Sequence, residues 1–143
     1  MDDPTVSNAV PDKDSADDNQ HRSLELALAA ARTASENRGR DIVVLDLREV
    51  TPVFDFFVIA SGTSRRQLHA MSEEIDHKLE DELGDKRMGI EGYSESRWIL
   101  LDYGTVVIHL FDDETREYYD IENLWTQAKR VDLTGVIESP PAA

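Results

Sequence analysis

Three sets of residues in this chain have types and spacings that could do chemistry. The first is Ser61-Gly62-Thr63-Ser64, which sits between an apolar run and an amphipathic one. A Gly/Ser turn opening a helix aims free backbone N–H groups outward and can cradle a phosphate. This one lacks the Gly-Lys-Ser/Thr of a Walker loop and the three spaced glycines of a dinucleotide fingerprint, so the plainer reading is a capped strand–helix turn. Nucleotidyl transfer would also need paired carboxylates on a neighbouring strand to hold Mg²⁺ between phosphates. Glu91 and Asp102 are separated in sequence and form no Asp-x-Asp or Asp-x-Glu pair. In that alternative Ser61, Gly62 and Ser64 would hold phosphates and Asp102 the metal.

The second set is histidine. His69 and His77 are eight positions apart on one helix, too far for a His-x-x-x-His zinc clamp. His109 lies inside an apolar strand, where a satisfied core role is more ordinary than acid–base work. There is no cysteine and no Gly-x-Ser-x-Gly elbow. No catalytic residue, metal site or cofactor is therefore expected. The third set is aromatic: Tyr93, Trp98, Tyr103, Tyr118, Tyr119 and Trp125 crowd the C-terminal half. Trp and Tyr are the usual anchors of protein interfaces. Trp125 shares an apolar helical face and reads as core. Trp98 shares a strand face with Leu100 and Asp102, against Arg97, Ile99, Leu101 and Tyr103 on the other. Both faces are largely apolar, so either the fold covers both or one is a docking surface.

The elements that must position these groups can be read from periodicity. Leu24, Ala27, Leu28, Ala31 and Ala34 predict a helix over about 21–37, stopped by Gly39. Ile42–Leu47 is a β-branched strand. Asp55–Ala60 is apolar almost throughout, as a strand covered on both faces should be. Ser64 and Gln67 read as a capping box for a long helix striped by Leu68, Met71, Ile75, Leu79 and Leu83. Glu74 and Lys78 would pair on its wet side, and Gly84 ends it. Gly89–Tyr93, Arg97–Tyr103 and Thr105–Phe111 are strands, the last two joined as a hairpin through Gly104. Asp120 would cap a final helix whose Ile121, Leu124, Trp125 and Ala128 share a face. The expectation is a mixed α/β (α+β) fold of order α-β-β-α-β-β-β-α with helices on a five-stranded mixed sheet. The second strand, long helix and third strand would form a right-handed crossover.

The chain has 143 residues, 40% of them apolar and 31% charged, which is globular composition. Its 30 Asp+Glu against 15 Lys+Arg give a formal net charge of −15. That disfavours a protein whose main work is gripping nucleic-acid phosphates, and it suits a basic partner. Residues 1–20 hold six aspartates against Lys13, a net −5, with two prolines and few large apolar groups. They read as a disordered acidic tail. Residues 21–132 form the domain, and 133–143, finishing Ser139-Pro140-Pro141, read as a flexible C-terminal tail. No apolar run reaches the roughly 20 residues of a membrane helix, and no signal or transit peptide is visible, so a cytoplasmic protein is expected.

Several segments taken in order resemble one family. They are Asp41–Asp46, Asp55–Ser64, Gly89-x-Glu91-Gly92, Trp98–Gly104 followed by Val106-Val107-x-His109, and Arg116-x-Tyr118-Tyr119-x-Ile121-Glu122-x-Leu124-Trp125. Together they are similar to the ribosomal silencing factor, or Iojap-like, family over about 21–130. The resemblance implies a nucleotidyltransferase-like fold without that active site. It implies a binding protein that docks on large-subunit ribosomal protein fourteen and sterically keeps the small subunit from joining, which represses translation. Little direct RNA contact is expected. On that reading Trp98, Ile99, Asp102 and Tyr103, with Glu91 and Gly92 beside them, are the docking residues. Trp98 would be the buried anchor, and Asp102 or Glu91 would meet a Lys or Arg. Thr105 stands where the family commonly has Asp, and Ile121 where it commonly has Leu. A ribosome-assembly adaptor is the further alternative, and an open edge strand would let the free protein form a homodimer.

Overall fold

The computed structural model describes residues 13–138. Helix α1 (Lys13–Glu36) leads into β1 (Arg40–Asp46) and β2 (Phe56–Gly62). Helix α2 (Arg65–Asp76) widens into a π-helical turn (His77–Glu82). Then come β3 (Gly89–Glu91), β4 (Trp98–Asp102), β5 (Val106–Asp112), the short helices α3 (Asp113–Tyr119) and α4 (Ile121–Leu124), and β6 (Lys129–Arg130). The expected mixed α/β architecture is present. No described helix is long and apolar enough to cross a membrane.

The sheet has six strands rather than five, in the order β3-β4-β5-β2-β1-β6. β2 and β5 pair in parallel, and the other four pairings are antiparallel. The expected crossover from β2 through α2 to β3 is therefore not formed. β3 lies at the sheet edge, and the β4–β5 hairpin carries the chain back so that β5 lies beside β2. The reason is apolar content: β2 is buried at every position and β5 at all but the last, so both take the centre.

Two cores result, one on each face of the sheet. On the first, α1 lays Ala27, Ala30, Ala31 and Ala34 against the strands, and small side chains let it approach closely. α2 adds Leu68, Met71, Ile75 and Leu79. On the second, Leu45, Phe57, Ile59, Val107 and Phe111 meet Ile121, Trp125 and Ala128. Each fully buried Leu, Ile or Phe contributes about 1.5–3 kcal/mol through removal from water.

Several local expectations change. α1 begins at Lys13, so residues 13–20 are helical; residues 1–12 lie outside the described residues. At the other end, Leu133 and Ile137 pack on the first core, and Arg32 Nε donates to the Val136 carbonyl at 3.3 Å. The segment 133–138 is thus packed, and 139–143 lie outside the described residues. Ser64 Oγ caps α2 by accepting from Gln67 N–H at 3.1 Å. The Gln67 side chain, however, accepts from Thr63 N–H at 2.6 Å, not from Ser64. Lys78 pairs with Glu82 at 3.1 Å instead of with Glu74, inside the π-helical turn. The expected final helix stops at Leu124. Asp120 adopts a left-handed conformation (φ 46°) with no side-chain cap bond, and the chain turns back to pair β6 with β1.

Candidate functional site

Strand register decides which candidate residues can work together. Glu91 lies opposite Leu100, and Leu100 opposite His109. Trp98 lies opposite Phe111, and Asp102 opposite Val107. Glu91, Trp98, Leu100 and Asp102 therefore share the second face, at the β3–β4 end of the sheet. The cover there is short: α3 has seven residues and α4 four, against 24 in α1. Trp98, Leu100 and Asp102 are left half-buried, and Glu91 is exposed.

Trp98 is held from three sides. Its ring packs on Phe111 (centroids 4.8 Å apart) and on Tyr119 (4.9 Å). Its indole Nε1–H donates to His109 Nδ1 at 3.1 Å. His109 is buried, as a core histidine should be, but it is only half satisfied. With Nδ1 accepting, the neutral ring carries its proton on Nε2. Nε2 has no hydrogen-bond partner, and the imidazole stands edge-on to Phe57, centroids 4.6 Å apart. Burial disfavours the charged ring and pushes its pKa down to about 4.

The other expected docking residues behave differently. Ile99 is fully buried in the first core, beneath the helices. Tyr103 is also buried there, and its hydroxyl donates to Asp76 Oδ1. Burial drives the Tyr103 phenol far up, and the Asp76 carboxylate adds to this. Burial also raises Asp76, more than the Tyr103 hydroxyl and Arg87 lower it. Both Ile99 and Tyr103 are core residues. Gly92 is a support: at φ +78° it makes a turn in which a Cβ would sit 1.9 Å from the Trp98 carbonyl oxygen. Asp102 Oδ1 accepts from Gly104 N–H at 2.8 Å, so it shapes the hairpin while facing solvent. Thr105 bonds Ser23 of α1, hydroxyl to hydroxyl, at 2.8 Å.

Residues not placed among the expected docking residues adjoin Trp98. Tyr118 and Tyr119 are 80% and 50% exposed, with ring centroids 5.0 Å apart. Leu124, expected on an apolar helical face, is 74% exposed. Two adjacent tyrosines within the charged run Asp113–Asp120 were the available signal.

The phosphate-cradle alternative loses its parts. Arg116 Nη1 donates to Ser61 Oγ at 2.8 Å, while its Nε and Nη2 grip Glu122 at 3.0 and 3.2 Å. Gly62 makes room for α2, since a Cβ there would meet Leu68 Cδ2 at 2.8 Å. Asp102 lies level with Val107 and Phe57, four residues along β2 from Ser61. That is about 13 Å along the strands and about 10 Å across them. One phosphate–metal unit cannot join those two points.

A family model described as ribosomal silencing factor during starvation matches residues 20–143. The chain belongs to that family, RsfS. The RsfS relative from Bacillus subtilis is 39% identical over 115 residues, spanning 80% of this chain and 94% of its own. A mouse relative named mitochondrial assembly of ribosomal large subunit protein 1 is 42% identical over 94 residues, 64% of this chain and 41% of that protein. A Chromobacterium violaceum protein solved by X-ray crystallography superposes with a TM-score of 0.69 at 32% identity, covering 84% of this chain and 91% of that one. The RsfS resemblance read from the sequence is borne out, and family membership carries a role as a ribosomal silencing factor.

Proposed function

We propose that this RsfS-family protein binds the large ribosomal subunit through ribosomal protein fourteen and sterically blocks joining of the small subunit, repressing translation. The observation that carries the reading is Trp98. Its indole is buttressed by Phe111 and His109, yet half-open beside two exposed tyrosines. Such an aromatic platform with carboxylates around it suits a basic protein surface. Blocking a subunit bridge needs occupancy and bulk rather than turnover, so the protein acts as a binder and not an enzyme. The same balance of charge favours contact with ribosomal protein over bare RNA. Glu91, Trp98 and Asp102 supply contacts, with Gly92 shaping the turn behind them.

The test is a sedimentation assay in which purified subunits are mixed with and without the protein. Fewer whole ribosomes and co-migration with the large subunit are expected. Unchanged subunit joining at saturating protein would rule the reading out. A second reading, assistance in large-subunit assembly, is supported by the name of the mouse relative. It expects co-migration with large-subunit precursors while mature subunits join normally.

A further inference from the structure

Between the start of β4 and α3 lies a cavity of about 400 Å³. Its walls include the rings of Trp98, Tyr118 and Tyr119, the two tyrosine planes at 86° to each other. Glu95, Glu114 and Arg97 also line it. Neighbouring acids are paired, Asp113 with Arg40 and Glu122 with Arg116, whereas Glu95 and Glu114 have no ion pair among the described residues. Two carboxylates against one guanidinium leave the cavity with a net negative charge. Among the described residues the guanidinium lying over an aromatic ring is that of Arg48, over Phe56, and none lies over Trp98.

This lining selects among ligands. An anion meets two carboxylates. A purely apolar side chain would desolvate those carboxylates without pairing them. A planar cation satisfies both parts, because a guanidinium stacks on aromatic faces and presents a fork of N–H donors to carboxylates. An ammonium offers neither the plane nor the fork. We infer that this cavity receives an arginine side chain of the partner protein. The inference rests on the docking reading above and names the chemistry of one contact within it.

The full chain is first titrated with Nα-acetyl-arginine amide while its amide and indole NMR signals are followed. The Trp98 indole N–H and the Tyr118 and Tyr119 amides should shift and saturate in the millimolar range. The neutral isostere, Nα-acetyl-citrulline amide, should bind at least several-fold more weakly. The double variant E95Q/E114Q changes only exposed carboxyls and should lose the preference. Equal response to citrulline, tighter binding of Nα-acetyl-lysine amide, or no response to arginine amide would overturn the proposal. In a second arm the same variant should bind large ribosomal subunits about tenfold more weakly than wild type, with an unchanged circular dichroism spectrum. Wild-type affinity in the variant overturns the assignment. Wild type that ignores subunits yet selects arginine amide over citrulline supports the guanidinium site and sinks the docking reading.

Discussion

The two faces of the sheet are built from similar strands and finished in opposite ways. The first is sealed by α1 and α2, whose alanines and aliphatic side chains fit a close-packed interface. The second is covered by two short helices and a turn, and there the rings of Phe57, Trp98, His109, Phe111 and Trp125 join the aliphatic side chains. Flat rings with polar edges tolerate partial exposure better than branched aliphatics, because one end can stay wet. The lesson is that Ile99 and Leu100, adjacent in sequence, serve different ends.

The largest expected effect therefore separates those neighbours. Ile99→Ala should cost about 2–5 kcal/mol of stability in urea unfolding. Leu100→Ala should cost less than half as much and weaken subunit binding instead; equal losses of stability would erase the contrast. Next comes acid. His109 titrates near pH 4 in the folded protein and near 6.5 when unfolded. Its neutral form is the folded one, so its contribution is complete above pH 6.5 and is lost as the pH falls toward 4. The loss is roughly 3 kcal/mol. Urea midpoints measured across that window should fall steeply in wild type and more gently in His109→Phe. A parallel decline in both proteins would remove His109 from the account. Trp98→Ala, checked for folding, should weaken large-subunit binding by more than about 1–2 kcal/mol. Undiminished co-sedimentation would place the interface elsewhere. The smallest effect is expected from removing residues 1–12, which precede the first described helix. Stability should change by less than about 0.5 kcal/mol, and silencing should persist.

Much of the framework was legible because it is written in local periodicity. The unbroken apolar run Phe56–Ala60 announced a doubly covered strand, and Leu68, Met71, Ile75 and Leu79 announced α2. β6 was not legible, because two charged residues become a strand only by pairing with Leu45 and Asp46, more than eighty positions away. Ile121, Leu124, Trp125 and Ala128 have helical spacing, but the left-handed Asp120 and the turn after Leu124 break it. At the site, alternation correctly set Trp98 and Ile99 on opposite faces. It could not say which face would stay open, since that depends on the length of helices elsewhere in the chain. Trp98 thus lies on the half-open face, Ile99 and Tyr103 lie in the sealed core, and the exposed tyrosines of α3, though counted among the aromatics, were not placed among the docking residues.

The pairing pattern also bears on how the molecule assembles. Asp102 meets Val107 across a tight hairpin, so β4 and β5 can find each other within microseconds. Phe56 meets Val106 only after a fifty-residue excursion of the chain closes. Loop closure of that kind must precede the contacts that reward it, and it slows folding. The hairpin bearing the tryptophan is then expected to form early, and closing the parallel seam to limit the folding rate. Substitutions along the seam should then alter how fast the protein folds.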